Sequence, residues 1–193
     1  MSWLSTSRLP RPYDTERQSV ACTRWKERTV VPKDGAGVAL LDALFGNSPY
    51  LTETALQNPD FMTDLWRQGP DVVFGDLMAQ LSTAHSEALS GARPEAIAVT
   101  LRRLKRRAAL TVGVADIAEA WPLDRITGAL SSFASGCLAT LTDSILLQLS
   151  RDGQLGIGGD PQAAAFTVLG MGKLGAGELN YSSDIDLILL YDR

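Results

Sequence analysis

Hydrophobic residues follow two different periods along this chain. Between residues 36 and 150 they recur at three- and four-residue steps, which is the period of amphipathic helices. After residue 165 they form two short runs rich in branched and aromatic residues, at 166–170 and 184–191, and such runs are typical of strands. The pattern predicts an α+β protein, with an N-terminal helical region followed by a small sheet.

Prolines and small polar residues mark the predicted helix boundaries. Ser48-Pro49 and Asn58-Pro59 each place a side-chain acceptor just before a proline, as expected of an N-cap and the first helical position. The prolines that begin or precede the three longer helices are Pro70, Pro94 and Pro122. Helices are therefore expected throughout residues 36–150.

The same periods divide the chain into three regions. Residues 1–34 contain three prolines, scattered arginines and no sustained period, so we expect an extended or poorly ordered lead-in there. Residues 35–150 form the helical region. Residues 151–193 hold a loop rich in glycine and polar residues and then the two strand-like runs.

Composition and charge limit the classes of partner. The 193 residues are 45% hydrophobic and 21% charged, as is usual for globular domains. A net charge of −4 gives no general attraction to nucleic acid or to anionic membranes. The N-terminus lacks the apolar run of a signal peptide, and no stretch of about 18 continuous apolar residues follows. We therefore expect a cytoplasmic protein that binds neither nucleic acid nor membrane.

Three features have ordinary structural explanations. Cys22 and Cys137 lie far apart and without the spacing of a metal site, so free thiols in a reducing compartment are expected. His85, the one histidine of the sequence, lies near an apolar helix stripe and is expected to be structural or at the surface. Residues 102–107 include five cations, which form either a solvated helix face or a contact for an acidic partner or a phosphate-bearing ligand.

The segment 166–192 carries the candidate chemistry. Asp184 and Asp186 form an Asp-x-Asp pair at the start of the second strand-like run. Because side chains alternate along a strand, both carboxylates are expected on one face, with their Cα atoms about 7 Å apart. Two such carboxylates repel each other unless a cation compensates them, so a divalent metal site is an alternative to a strand end that is simply exposed to water.

A glycine-rich turn and the pair Ser182-Ser183 precede these aspartates, and they favour the metal site. Backbone N–H groups of glycine turns and small hydroxyl groups are what proteins use to hold a phosphate chain. Lys173 adds a positive charge to the same turn. The segment thus combines candidate ligands for phosphate with candidate ligands for metal.

Three known motifs compete for this segment. Residues 170–175 satisfy the GxGxxG spacing of a dinucleotide-binding unit, with Asp192 about twenty residues further on. That unit needs a full crossover helix between its strands. The segment 175–184 is short and polar, with little apolar face for such a helix, which weakens this interpretation. A Walker P-loop fails, because Thr167 stands where its first glycine belongs and Leu174 where its Ser or Thr belongs. A metal-dependent nucleotidyltransferase site is the third alternative.

The run GMGKLGAGELNYSSDIDLILLYD at 170–192 resembles the signature of a known family. The family is that of the bacterial glutamine synthetase adenylyltransferases, bifunctional enzymes of the polymerase-β-like nucleotidyltransferase superfamily. Stretches 46–51, 101–110 and 121–134 resemble the helical region that precedes the family's first catalytic domain. The resemblance covers roughly residues 36–193.

The resemblance implies a fold and an activity. The fold would be a helical region over residues 35–150, followed by residues 151–193 as the start of an incomplete catalytic domain, with the first strands of a polymerase-β-like nucleotidyltransferase. Family members carry two catalytic domains, of which one removes AMP from a modified tyrosine of glutamine synthetase by phosphorolysis, yielding ADP, and the other attaches AMP from ATP. This sequence resembles the N-terminal, adenylyl-removing half in three features: the initiator methionine, the upstream helices and the form ELNYSSDIDLI.

The resemblance also implies ligands and partners. Asp184 and Asp186 would be the catalytic residues and would bind Mg²⁺, with ATP or ADP as the nucleotide. The residues that would hold its phosphates are Gly170, Gly172, Lys173, Ser182 and Ser183. Glutamine synthetase is the implied partner, with a PII-type regulatory protein as a second one. The alternatives are a non-catalytic helical docking module for these proteins and a Rossmann-type dinucleotide binder.

The sequence departs from the superfamily after its second strand-like run. The superfamily normally supplies a third carboxylate from a later strand, and the sequence shows no further strand-like run after 184–191. We therefore expect a truncated piece or a gene fragment that is inactive by itself.

Overall fold

The computed structural model describes residues 3–5, 8–28, 35–181 and 183–192. Within this part the chain forms eight α-helices and one pair of strands, with the eighth helix between the two strands, which confirms the predicted α+β class. The helices are α1 (Thr15–Lys26), α2 (Gly35–Asn47), α3 (Pro49–Gln57), α4 (Pro59–Gln68), α5 (Pro70–Leu89), α6 (Pro94–Ile117), α7 (Leu123–Arg151) and α8 (Gly172–Gly175). The strands are β1 (Phe166–Gly170) and β2 (Leu187–Tyr191), and a 3-10 turn at Pro161–Ala163 precedes β1.

Helix α1 has no counterpart among the predicted elements. The side chain of Asp14 caps its first turn by accepting a main-chain hydrogen bond at 2.8 Å. The helix buries two side chains, Ala21 and Trp25, and the Trp25 ring lies 5.9 Å from the ring of Phe45. Because one small and one large buried residue create no apolar period, the sequence indicated an extended lead-in. Residues 29–34 of that lead-in lie outside the described residues.

The two predicted N-caps behave differently. The Ser48 hydroxyl accepts a hydrogen bond from the Leu51 amide at 3.3 Å, as an N-cap should. Asn58 is at the N-cap position of α4, but its side chain makes no capping bond. The side-chain amide of Asn58 instead donates to the Thr54 carbonyl at 2.9 Å. Asn58 therefore stabilises the end of α3, while Pro59 begins α4.

The chain forms two compact units, and the first contains most of the short helices. It consists of the residues up to Asp76 together with Arg106–Ile126. Its largest fully buried side chains are Leu40, Leu44, Phe45, Leu56, Met62, Leu65, Leu110, Val112 and Val114. Gly113 has to be small, because a Cβ there would lie 2.6 Å from a methyl group of Leu51.

The second unit carries the strands. It consists of Leu77–Lys105 and Thr127–Arg193. Its buried apolar side chains include Leu77, Leu81, Ile97, Leu104, Phe133, Leu146 and Leu147. The His85 ring packs against α7, where Nε2 lies 3.4 Å from the Asp143 carboxylate and Nδ1 lies 3.3 Å from the Thr140 hydroxyl. These contacts support the structural role predicted for this histidine.

Among the described residues, α7 is the one helix that is long and apolar enough to cross a membrane. Length and composition alone give this result, and the core helix of a soluble protein meets the same criterion. In this fold α7 buries apolar side chains such as Phe133 and Leu146. The expected absence of a membrane partner stays a prediction.

Candidate nucleotide and metal site

The candidate site is built on the antiparallel pair of β1 and β2. Phe166 lies opposite Tyr191 and Gly170 lies opposite Leu187. The Met171 amide then donates to the Asp186 carbonyl at 2.8 Å, which continues the same register by one residue. This bond holds Asp186 next to the point where the chain leaves β1 and enters the glycine-rich turn.

The predicted second strand starts too early. The sequence indicated a strand over 184–191, whereas β2 begins at Leu187 and both aspartates precede it. The reason is the length of its partner: β1 ends at Gly170 and the chain turns away, so Asp184 has no strand opposite it. The strand alternation and the spacing inferred from it therefore do not apply to Asp184. Both aspartates are exposed.

The glycine-rich turn requires several of its glycines. Gly172 and Gly177 have φ angles of 54° and 74°, which residues with a Cβ rarely adopt. The Glu178 amide donates to the Lys173 carbonyl at 2.7 Å, so α8 ends in a Schellman motif with Gly177 in the left-handed position. At Gly175 a Cβ would lie 2.4 Å from the Gly170 carbonyl oxygen. The turn can therefore pack against the end of β1 only with glycine there.

The turn lies beside one of the two aspartates. A Cβ built on Gly172 would be 3.9 Å from Oδ2 of Asp186, so this carboxylate faces the start of α8. The first amides of a helical turn, here from Gly172 onwards, have no acceptor within the turn itself. The structure thus brings together two of the predicted site residues, Gly172 and Asp186.

The carboxylates of Asp184 and Asp186 have no hydrogen-bond or ion-pair partner in the described part of the chain. Glu53 in the first unit shows the contrast. Arg24 forms a hydrogen bond and an ion pair with it, and the hydrogen bond is the main reason that the pKa of the Glu53 carboxyl is lowered. Unlike Glu53, the two aspartates keep their oxygens available for an external cation.

The predicted phosphate ligands have different surroundings. Lys173 is exposed and has no ion pair with any described residue. The Ser183 hydroxyl donates to the side-chain oxygen of Asn180 at 2.6 Å and accepts from the main-chain amide of Asn180 at 3.3 Å. Ser183 thus uses its one proton to close the turn, and this gives Asn180 a structural role. Ser182 lies outside the described residues.

The aspartate pair suits Mg²⁺ in the type of its donor atoms. Mg²⁺ prefers oxygen ligands, and enzymes commonly hold it through one or two carboxylates and the phosphates of the substrate. No group of three or more His, Cys, Asp or Glu side chains with metal-site geometry exists in the described ranges. The chain therefore offers two free carboxylates, which fits a cation shared with a phosphate-bearing ligand.

The Rossmann alternative does not fit the strand pair. A dinucleotide-binding unit joins parallel strands through a full crossover helix. Here β1 and β2 are antiparallel, and the helix between them, α8, has four residues. The GxGxxG spacing of residues 170–175 is therefore coincidental.

The structure shows one polar contact to the glycine-rich segment that the sequence did not predict. The Leu179 amide donates to the hydroxyl of Ser131, a residue of α7, at 3.0 Å. The two residues are 48 positions apart, and a serine in a long helix has no local signal for such a contact.

A glycine turn beside free carboxylates is an arrangement with which nucleotide-transferring enzymes bind phosphate and metal. The family model of glutamate-ammonia ligase adenylyltransferase (GlnE) matches residues 38–193, and the chain belongs to this family.

Curated relatives agree with the family match. The chain is 38% identical over 157 residues to a bifunctional glutamine synthetase adenylyltransferase/adenylyl-removing enzyme of Rhizobium meliloti (strain 1021), which covers 79% of this chain and 16% of the relative. The enzyme of the same name from Rhodopseudomonas palustris (strain BisB5) is 38% identical over 159 residues, covering 81% and 16%. That of strain ATCC BAA-98 / CGA009 is 32% identical over 200 residues, covering 95% and 20%. The matched region thus spans a fifth or less of each of these relatives.

Proposed function

We propose that this chain is part of a nucleotidyltransferase that controls glutamine synthetase by reversible adenylylation. The observation that carries the proposal is the free carboxylate of Asp186 beside the left-handed Gly172, since one turn then offers ligands for both a cation and a phosphate. The relatives' names include both the adenylyltransferase and the adenylyl-removing activity. Family membership supports the nucleotide-transferring class.

The site residues divide into two groups by their chemistry. Asp184 and Asp186 would hold Mg²⁺, which would neutralise the charge on phosphate oxygens during transfer. The phosphates of ATP or ADP would lie in the turn formed by Gly170 and Gly172, against the amides of Gly172 and Lys173, with the Lys173 side chain adding a positive charge. Ser182 and Ser183 complete the proposed phosphate ligands, although the Ser183 proton would first have to leave Asn180.

We assign the chain to the adenylyl-removing half. The support is the form ELNYSSDIDLI at 178–188 and the helices upstream of it, both similar to the N-terminal half of the family. This half would transfer AMP from a modified tyrosine of glutamine synthetase to inorganic phosphate, giving ADP and the free tyrosine hydroxyl. A cytoplasmic location and a PII-type regulatory partner belong to the same proposal.

The proposal is tested by calorimetric titration of the 193-residue chain with ADP, with and without Mg²⁺. We expect Mg²⁺-dependent binding that the double variant Asp184→Asn, Asp186→Asn loses, because its amides supply no charge for the cation. Asp76→Asn is the matched control, since it removes an exposed aspartate from α5. Wild-type chain that binds no ADP, or a double variant that binds it as tightly as wild type, would contradict the assignment.

A docking module is the second candidate. Four consecutive or nearly consecutive cations of α6 are exposed and have no ion pair with described residues: Arg102, Arg103, Lys105 and Arg106. Such a face suits an acidic protein surface. A pure docking module would bind glutamine synthetase in a salt-sensitive manner and would bind neither Mg²⁺ nor ADP.

A further inference from the structure

We propose that Ser131 is a positioning residue that fixes the glycine-rich segment 171–181 against helix α7. The proposal rests on the proposed function, because the position of this segment matters only if the segment binds a nucleotide. Ser131 touches neither phosphate nor metal in this account. It acts through the main chain of Leu179.

The hydrogen bonds of Ser131 define its role. Its hydroxyl donates to the Thr127 carbonyl at 2.8 Å and accepts from the Leu179 amide at 3.0 Å. A serine hydroxyl has one proton and two lone pairs, so donation to Thr127 leaves it as an acceptor toward Leu179. Ser131 is 6% exposed, so water cannot readily replace it as the partner of that amide.

The bond lies at one of two points where the segment is buried. Leu174 and Leu179 are the buried side chains of segment 171–181, and the remaining side chains there are exposed or half-buried. Leu174 packs beneath Gly170, where a Cβ would lie 3.0 Å from its side chain. Leu174 thus fixes the segment to β1, whereas Ser131 fixes it to α7.

The anchor is close in sequence to the candidate ligands. Leu179 is followed by Asn180, whose side chain and amide bond to Ser183. Ser183 immediately precedes Asp184. A shift of Leu179 is therefore expected to pass through the Asn180 turn to the aspartate pair.

Helix α7 supplies a matched control. Ser144 is also buried on α7, and its hydroxyl donates to the Ala92 carbonyl at 3.2 Å, in the loop between α5 and α6. Ser144→Ala and Ser131→Ala thus remove the same atom from the same helix. They differ in that only Ser131 bonds to the glycine-rich segment.

The first test measures amide hydrogen exchange in the full 193-residue chain. Ser131→Ala is expected to speed exchange in residues 176–183, because the Leu179 amide loses its acceptor. Ser144→Ala should leave these residues protected. Equal exchange of residues 176–183 in wild type and Ser131→Ala would overturn the proposal.

The second test measures the affinity for ADP in Mg²⁺. Losing one hydrogen bond that positions the segment is expected to weaken binding about 3- to 10-fold. Ser131→Thr, which keeps a hydroxyl, should restore most of the affinity, and Ser144→Ala should keep that of wild type even if it lowers the unfolding midpoint equally. ADP binding by Ser131→Ala at wild-type affinity would overturn this proposal alone. Wild-type chain without ADP binding would overturn it together with the proposed function.

Discussion

The helical region and the strand pair use the same apolar residues with opposite results. Leu77 and Leu104 of the helices are fully buried, whereas Leu189 and Leu190 of β2 are 55% and 49% exposed. All five residues of β2 are exposed. Apolar periodicity therefore predicted a core in the helices, but in β2 it predicted only the strand itself.

Charged residues show a second difference between the two regions. Several carboxylates of the helical region have partners, as with Glu53 beside Arg24 and Asp143 beside His85. Asp184 and Asp186, next to the strands, have none among the described residues. The segment around the strands thus keeps two neighbouring carboxylates unpaired, and these can bind a cation.

The largest expected difference between the regions is in stability. Leu77→Ala, at a fully buried position, should lower the free energy of unfolding by about 2–5 kcal/mol, because it leaves a cavity. Leu189→Ala, on β2, should change it by less than about 0.5 kcal/mol. Urea unfolding followed by circular dichroism measures both. Similar losses for the two variants would show that β2 is covered in solution.

Thiol reactivity gives the next largest effect. Burial raises the pKa of Cys137 to about 11, and burial followed by the nearby charge of Asp42 raises that of Cys22 to about 11. The thiolate is the reactive form, so at pH 8 both should react with iodoacetamide about 100-fold more slowly than an ordinary thiol, and faster as the pH rises toward 11. Leu189→Cys places a thiol on the exposed strand, and it should react at the ordinary rate.

Mass spectrometry of the alkylated peptides measures this difference at each site. In urea, all three cysteines should react alike, which controls for intrinsic reactivity. Fast alkylation of Cys22 or Cys137 at pH 8 in the native chain would contradict the partial burial of these thiols.

Replacing two glycines by alanine should give the smallest effects, and the two changes in stability should have opposite signs. Gly175→Ala places a Cβ 2.4 Å from the Gly170 carbonyl oxygen and should destabilise the chain by about 1–3 kcal/mol while weakening ADP binding. Gly128→Ala, within α7, meets nothing within 4 Å and should stabilise it by about 0.5–1 kcal/mol. Thermal unfolding and ADP titration of both variants check this. Unchanged stability and ADP affinity in Gly175→Ala would show that the turn does not pack tightly against the end of β1.

Much of the fold follows from local sequence signals. Prolines at positions 49, 59, 70 and 94 are the first residues of their helices, because proline fits the first turn and lacks the amide that would be unpaired there. Helix α1 was missed since its buried face consists of Ala21 and Trp25. The start of β2 was misplaced because it depends on where β1 ends, which the sequence of β2 does not contain.

The candidate site was predictable only where one short motif contains it. Gly172, Lys173 and the two aspartates lie within fifteen positions of one another, so their residue types indicated phosphate and metal ligands together. Contacts from distant residues have no such signal. The bond from Leu179 to Ser131 spans 48 positions and depends on how α7 packs against the segment.

The central claim is that a divalent cation and a nucleotide bind at the glycine turn and the aspartate pair. The most direct test is to add Mn²⁺ in place of Mg²⁺ to the isotopically labelled chain with ADP and to record amide NMR intensities, since the same oxygen ligands suit both ions. We expect selective loss of the signals of Gly172, Lys173 and Asp186, and no such loss in Asp184→Asn, Asp186→Asn. Uniform broadening, or selective loss confined to the helices α1 to α7, would contradict the claim.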